Sequence, residues 1–335
     1  CIGTVVFMLI LSVMHHFNVF GEAFWTMKVD SNIIAIFQTA FNLFTAILLI
    51  PFTNQLVNMS VVLVKDVPVK VHNHPELYTL SENLYISPAL AVVEATKAVA
   101  SMGHIAKETF RRCCDVLLEY DESNFQLIDT DEDNLDRFAD RSDRFLIGLS
   151  KVVETTGDDN QVDMLLQVVP GFERVGDYGT NMVELAKRLR AENVSFSDNA
   201  KKELSLLCSA VHEILDITVD AFESNDNQKA RLIEPLEETI DDMVMILRDR
   251  HTKRLKNGAC SISSGLVFME ALTQLERASD HCSSIGVMML AREDEAILHN
   301  HHKYLHELHS GGDSGYRAEN NRRRVQYIEP LLQIQ

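Results

Sequence analysis

Residues 96–191 return about a hundred positions later as residues 198–293. Asp115-Val-Leu-Leu-Glu119, followed by Glu122-Ser-Asn124, matches Asp216-Ile-Thr-Val-Asp220, followed by Glu223-Ser-Asn225, at an offset of 101. Glu132-Asp-Asn-Leu-Asp136 matches Glu237-Glu-Thr-Ile-Asp241 at 105, and Phe172-Glu-Arg-Val-Gly-Asp177 matches Leu275-Glu-Arg-Ala-Ser-Asp280 at 103. The apolar frame moves with them: Val169, Phe172, Gly179, Met182 and Ala186 meet Leu272, Leu275, Cys282, Ile285 and Met289. A repeat of this length requires one supersecondary unit used twice. From about Pro88 onward no strand-like alternation of useful length occurs, and Asp, Asn, Ser and Gly punctuate the chain where helices cap and turn. Each copy therefore reads as three helices, 96–120, 126–157 and 161–191, then 198–223, 227–257 and 261–293. Ser197 is placed to start a helix and Lys256-Asn-Gly258 to end one. Three helices with one apolar face each and short links bury those faces as an antiparallel bundle.

Four Glu-x-x-x-Asp pairs occupy equivalent places in the two copies: Glu132/Asp136, Glu173/Asp177, Glu237/Asp241 and Glu276/Asp280. A spacing of four puts both carboxylates on one helical face a turn apart, where like charges cost a few tenths of a kcal/mol. Composition alone yields roughly seven acid pairs at this spacing, so a single pair carries no information. Four in register with the duplication carry more. They form either a solvated acidic face kept by the duplication or a site where Arg174, Arg277 or a cation answers the charge. Oxygen-only donors suit magnesium, manganese, calcium or iron, with zinc a further option. No Glu-x-x-His occurs in the chain, which disfavours a ferritin-type di-iron site.

The beginning of the chain has a different character. Lys28, Lys65 and Lys70 cancel Glu22, Asp30 and Asp66 within residues 1–75, so the whole formal charge of −18 sits on residues 76–335. An apolar run starts at Ile2, and a second, Ile33 to Phe52, holds no charge. At 1.5 Å per residue the second run would be about 30 Å long, the thickness of a bilayer's hydrocarbon core. The connection between the runs carries Trp25 with Glu22, Lys28 and Asp30, which suits a headgroup region. Gln38, Thr39, Asn42 and Thr45 fall near one face of the second run, where they would meet another helix or a water-filled transport path. A buried core helix is the alternative for this run. Cys1 without a basic segment before it fits neither a signal peptide nor a tethered lipoprotein, so the expectation is a chain cut within a membrane helix.

Other features exclude function classes. The acidic balance, 31 Lys and Arg against 49 Asp and Glu, argues against nucleic acid as partner. No Gly-x-x-x-x-Gly-Lys or Gly-x-Gly-x-x-Gly occurs, and no nucleophile with its base is apparent, so an enzyme is not expected. Cys113, Cys114, Cys208, Cys260 and Cys282 show no Cys-x-x-Cys spacing and read as reduced thiols. His302 and His306 stand one turn apart, a usable metal spacing. Arg322-Arg323-Arg324 reads as a solvated tail, with anionic lipid as the other contact.

Glu173-Arg-Val-Gly-Asp-Tyr178 and Glu276-Arg-Ala-Ser-Asp-His281, on paired three-helix bundles, resemble the PhoU family of phosphate-signalling proteins. Ala35-Ile-Phe-Gln-Thr-Ala-Phe-Asn42, Leu48-Leu-Ile-Pro-Phe52, Leu84-Tyr-Ile-Ser-Pro88-Ala-Leu-Ala91 and His302-Lys-Tyr-Leu305 resemble bacterial sodium-dependent phosphate cotransporters with a PhoU-like domain. The resemblance implies an all-α chain: terminal transmembrane helices followed by two tandem antiparallel three-helix bundles. It places the end of a truncated membrane domain at 1–57, a linker at 58–90, a PhoU-like domain at 91–310 with repeats 91–193 and 194–300, and a tail at 311–335. It implies sodium–phosphate symport in the full-length protein, with sodium as coupling ion. The location would be the cell (inner) membrane, multi-pass, with the PhoU-like domain cytoplasmic. Inorganic phosphate, membrane lipid and a homo-oligomer or phosphate-signalling protein would be its partners. It also implies a multinuclear metal (iron, zinc, manganese or magnesium) on the four carboxylate pairs. The alternative is a membrane-tethered PhoU-like regulator that binds metal and does not transport. Ala278-Ser279, where the family usually shows an apolar residue and Gly, departs from the pattern and bears on close packing there.

Overall fold

The computed structural model describes residues 12, 15–17, 38, 39, 43, 79–294, 296, 297, 300–310 and 313–334. The chain divides into two units, Cys1–His72 and Asn73–Gln335. In the first, Gln38 and Thr39 are helical with exposed side chains, whereas Asn42, Thr45 and most of both apolar runs lie outside the described residues. Among the described residues no helix is long and apolar enough to cross a membrane. The expected terminal transmembrane helices are therefore unsupported. The long described helices are amphipathic: α1 (Pro88–Leu118) buries Val99, Met102 and Phe110 on one side and carries Lys97, Lys107, Arg111 and Arg112 on the other.

The second unit is all-helical among its described residues. The first repeat consists of α1, α2 (Phe125–Leu149) and α3 (Thr156–Ala191), and the second of α4 (Asp198–Ser224), α5 (Ile233–Lys256) and α6 (Ile262–Ala291). Hydroxyl caps set three of the starts. Thr155 Oγ1 accepts from the Asp158 amide at 3.1 Å, Ser197 Oγ from Ala200 at 3.3 Å, and Ser261 Oγ from Ser264 at 3.1 Å. The expected helix end at Lys256-Asn-Gly258 is present, with Gly258 at φ +68°. Two boundaries differ from expectation. Helix α2 stops at Leu149, because residues 150–154 turn the chain toward the Thr155 cap. The helix expected over 227–257 splits into Asn227–Ala230 and α5. Pro235 explains the break: its ring would clash with the carbonyl of residue 231 in a continuous helix, whereas in a first turn it is tolerated.

The two bundles share one core. Helix α1 packs on α4 and α3 on α6, so the repeats are joined along two helix pairs. Phe172 meets Phe222 edge-to-face across that join, with centroids 5.8 Å apart. Cys113, Cys114, Cys208 and Cys282 are free and buried there, and burial pushes the Cys113 and Cys282 thiols up to about 12. These four act as small core side chains.

The solvated-tail expectation is corrected. Residues after α6 form α7 (His301–His309) and α8 (Ser314–Gln333), and α8 lies on α5 and α4. Arg323 is buried between Glu213 and Glu319, the latter at 2.7 Å, and Arg324 pairs with Asp242. Tyr316 donates to Glu238, and Arg250 donates to the carbonyls of Leu331 and Ile334 at 2.9 and 3.1 Å. The basic tail therefore answers the acidic surface of its own second repeat. His302 and His306 join no cluster of metal-ligating groups among the described residues.

Candidate metal centres

Helices α2 and α3 present the first two carboxylate pairs, α5 and α6 the second two, and packing converts two pairs per repeat into one site. In the first repeat, carboxylate oxygens of Glu132, Asp136 and Asp177 lie within 4.8 Å of one another. In the second, Glu237, Asp241 and Asp280 do the same. Both sites draw two residues from the second helix of the bundle and one from the third. A single helix cannot bring three carboxylates this close, so the sites are products of tertiary packing.

The fourth member of each set behaves differently. Glu173 is half-buried, and burial together with the charges of Asp177, Asp136 and Asp143 raises its pKa. Its counterpart Glu276 is held by Arg248 through two hydrogen bonds of 3.2 and 2.6 Å, and Arg248 also donates to Thr273 Oγ1 at 3.3 Å. At the repeat position of Arg248 the first copy has Asp143. The two sites therefore differ by a reversal of charge. The first adds a further carboxylate beside Glu173, and the second neutralises Glu276.

Burial raises these carboxyls before their neighbours do. It raises Glu132, with Asp136 next in effect, and Asp177, with Asp136 again next. In the second site burial, then Glu234 and Asp241, push Glu237 up to about 9, and burial, then Asp280, pushes Asp241 up to about 6. Asp280 is raised by burial and by Glu276. These directions describe carboxylates that need either protons or cations to sit together. Two buried oxygens, Asp241 Oδ1 and Asp143 Oδ1, have no hydrogen-bond partner among the described residues. Unsatisfied, desolvated, oxygen-only donors on two facing helices fit a hard multivalent cation. No cysteine or histidine belongs to either group, which makes zinc the poorest fit of the metals named above.

Asp143 and Glu234 fall outside the Glu-x-x-x-Asp pairs, so sequence reasoning passes over them. Asp143 stands three turns beyond Glu132 on α2, and Glu234 in the turn before Glu237 on α5. Glu234 is buried, accepts from Ser283 Oγ, and contacts His309 Nε2 at 2.8 Å. The Ala278-Ser279 departure has a packing answer. A Cβ on Gly176 would stand 2.4 Å from Leu135 Cδ1, so the first repeat needs glycine where α2 and α3 meet. In the second, Ile240 replaces Leu135, and buried Ser279 turns its hydroxyl back to the Glu276 carbonyl at 2.7 Å.

The described fold is matched by known proteins. The chain is 25% identical over 151 residues to the phosphate-specific transport system accessory protein PhoU homolog 1 of Thermotoga maritima. That match spans 45% of this chain and 61% of the relative's length. The crystal structure of PhoU from Pseudomonas aeruginosa superposes with a TM-score of 0.57 at 20% identity, covering 60% of this chain and 97% of that one. The phosphate transport system regulatory protein PhoU from Streptococcus pneumoniae gives 0.55 at 20% identity, covering 62% and 98%. At these identities the superpositions establish the fold.

These findings overturn two expectations. The relatives are accessory and regulatory proteins of phosphate transport, and among the described residues no helix can cross a membrane, so sodium–phosphate symport is not the function indicated. The multi-pass placement in the cell membrane loses its support on the same grounds, and nothing found points to sodium or lipid as partners. The PhoU domain model matches residues 99–186 and 204–288, together more than half of the sequence, and the chain belongs to the PhoU domain family.

Proposed function

We propose that this chain is a PhoU-type regulator acting with a phosphate transport system, and that each repeat holds hard cations on its carboxylate site. The observation that carries this reading is the appearance, in register with the duplication, of two acid triads whose oxygens lie within 4.8 Å of one another. Glu132, Asp136, Asp177 and Glu173, with Asp143 beside them, would hold the cation of the first repeat. Glu237, Asp241 and Asp280 would hold that of the second. Iron, manganese or magnesium fits the donors better than zinc, and when bound it supplies the positive charge that lets these carboxyls stay ionised together. The chain's own part is to fix α2 against α3 and α5 against α6 at the separation the cation needs. In this reading the chain acts by binding.

Elemental analysis tests the metal reading. The full chain purified without chelator should carry iron, manganese or magnesium, and the double variant Asp177→Ala/Asp280→Ala should lose most of it. Equal metal content in the two proteins would end the cation assignment. The regulatory reading is tested in cells: removing the chain should alter how phosphate uptake responds to external phosphate, and an unchanged response would count against it.

A further inference from the structure

The third helices of the two repeats, α3 and α6, cross at a point where repeat-equivalent residues meet. Tyr178 and His281, related by the 103-residue offset, stack with ring centroids 5.6 Å apart and planes at 23°. Their polar atoms touch, Tyr178 Oη to His281 Nε2, at 3.3 Å. Arg277 lies over the Tyr178 ring, with its Cζ 6.0 Å from the centroid. Arg174, the equivalent of Arg277, stands one turn before Tyr178 on the same face of α3. The four residues thus form a repeat-related constellation, with the Arg277 guanidinium set against the ring contributed by the other repeat.

In a chain with 49 acids and 31 basic residues, arginines such as Arg112, Arg248, Arg250 and Arg323 are tied to carboxylates. Arg174 and Arg277 are exposed and make no ion pair within 4 Å among the described residues. Each adjoins a residue of a carboxylate site in sequence, Glu173 or Glu276, and acts on that site's charge, Arg174 on Glu173 and Asp177 and Arg277 on Asp280, while Arg277 also lies over the Tyr178 ring. Guanidinium forks with a phenol hydroxyl and an imidazole nitrogen are donors for a tetrahedral oxyanion.

We propose that Arg174, Tyr178, Arg277 and His281 form a binding site for a small phosphate-class oxyanion on the face where the two repeats join. The proposal deepens the regulator reading and rests on it for the choice of phosphate as ligand. Cations on the two flanking carboxylate sites would lower the negative potential that otherwise repels such an anion, so metal content and anion affinity should rise together.

Calorimetric titration of inorganic phosphate, and separately of pyrophosphate, into the metal-containing full chain tests the site. Saturable binding is expected, weakened at least tenfold in Arg174→Gln/Arg277→Gln and a few-fold in Tyr178→Phe. Both arginines are exposed, so the double variant should keep its helicity and its metal. Binding of equal strength in the double variant would place the anion on the metals themselves and overturn the site, and no binding of either anion would overturn it too. Because metal content is read on the same samples, loss of the cation assignment and loss of the anion site are separately visible.

Discussion

The two carboxylate sites began as copies and now differ in cover and in charge. On the first repeat, Thr130, Asp133 and Arg137 of α2 are exposed. Their equivalents on α5, Pro235, Glu238 and Asp242, lie beneath α8 and receive Asn320, Tyr316 and Arg324. The covered copy is where burial pushes a glutamate to about 9 and an aspartate to about 6, and where Arg248 neutralises Glu276. The open copy has Asp143 in place of that arginine. A tail helix laid on one of two equivalent bundles changes the solvent its carboxylates see. The expected consequence is two metal sites of one design and unequal affinity.

Removing the cover should have the largest effect. Arg323 is buried against Glu213 and Glu319, so Arg323→Ala leaves Glu213 without its cation and Glu319 with Arg322 alone, and should cost about 3 kcal/mol. Limited proteolysis should then cut between α7 and α8 while helices α1 to α3 stay protected. A tail that stays protected would mean α8 is held by apolar packing alone.

The second expectation concerns pH. Carboxyls whose folded pKa lies above the unfolded value bind more protons when folded, so their stability contribution is full at low pH and lost as pH rises through the folded pKa. For the metal-free protein, stability should fall as pH rises from about 5 through 6 and on toward 9. Glu237→Gln should remove much of that slope, raising Tm at pH 8 on the order of 5 °C. Glu132→Gln on the open site should do less. Equal responses would erase the distinction between the sites. Added manganese should flatten the slope in the parent chain, because the cation replaces the protons.

Smaller effects probe the packing between helices. Gly176→Ala should destabilise by about 1–3 kcal/mol in urea unfolding, since Leu135 is buried and must shift. Ser279→Ala should cost less, about 1 kcal/mol or under, since only a local hydroxyl bond is lost. The reverse ranking would show that the family's glycine is not a packing requirement here. Smallest of all, Asp143→Arg should imitate the second site, stabilising the metal-free protein by a few tenths of a kcal/mol while lowering metal content in the first repeat.

Much of the helical unit was legible in the sequence. The duplication, three helices per copy, the caps at Ser197 and Gly258 and the four carboxylate pairs are written in local periodicity, which a 3.6-residue turn imposes wherever one face is buried. The apolar runs at the start were legible as hydropathy, yet hydropathy does not say what a run packs against, and the symport reading built on them did not survive comparison with the relatives. The tail reads as solvated because Arg322-Arg323-Arg324 looks exposed until Glu213 and Asp242, more than eighty residues away in sequence, are brought beside it.

The sequence alone therefore determined the elements, their repetition and the chemistry on each face, because those depend on neighbours within a turn or two. Only the tertiary structure decided which three of four carboxylates share a site, that Asp143 and Glu234 stand beside those sites, and that one copy lies under a helix. Those outcomes depend on crossing positions between helices, which are set by side-chain packing over long sequence separations and leave no local periodic trace.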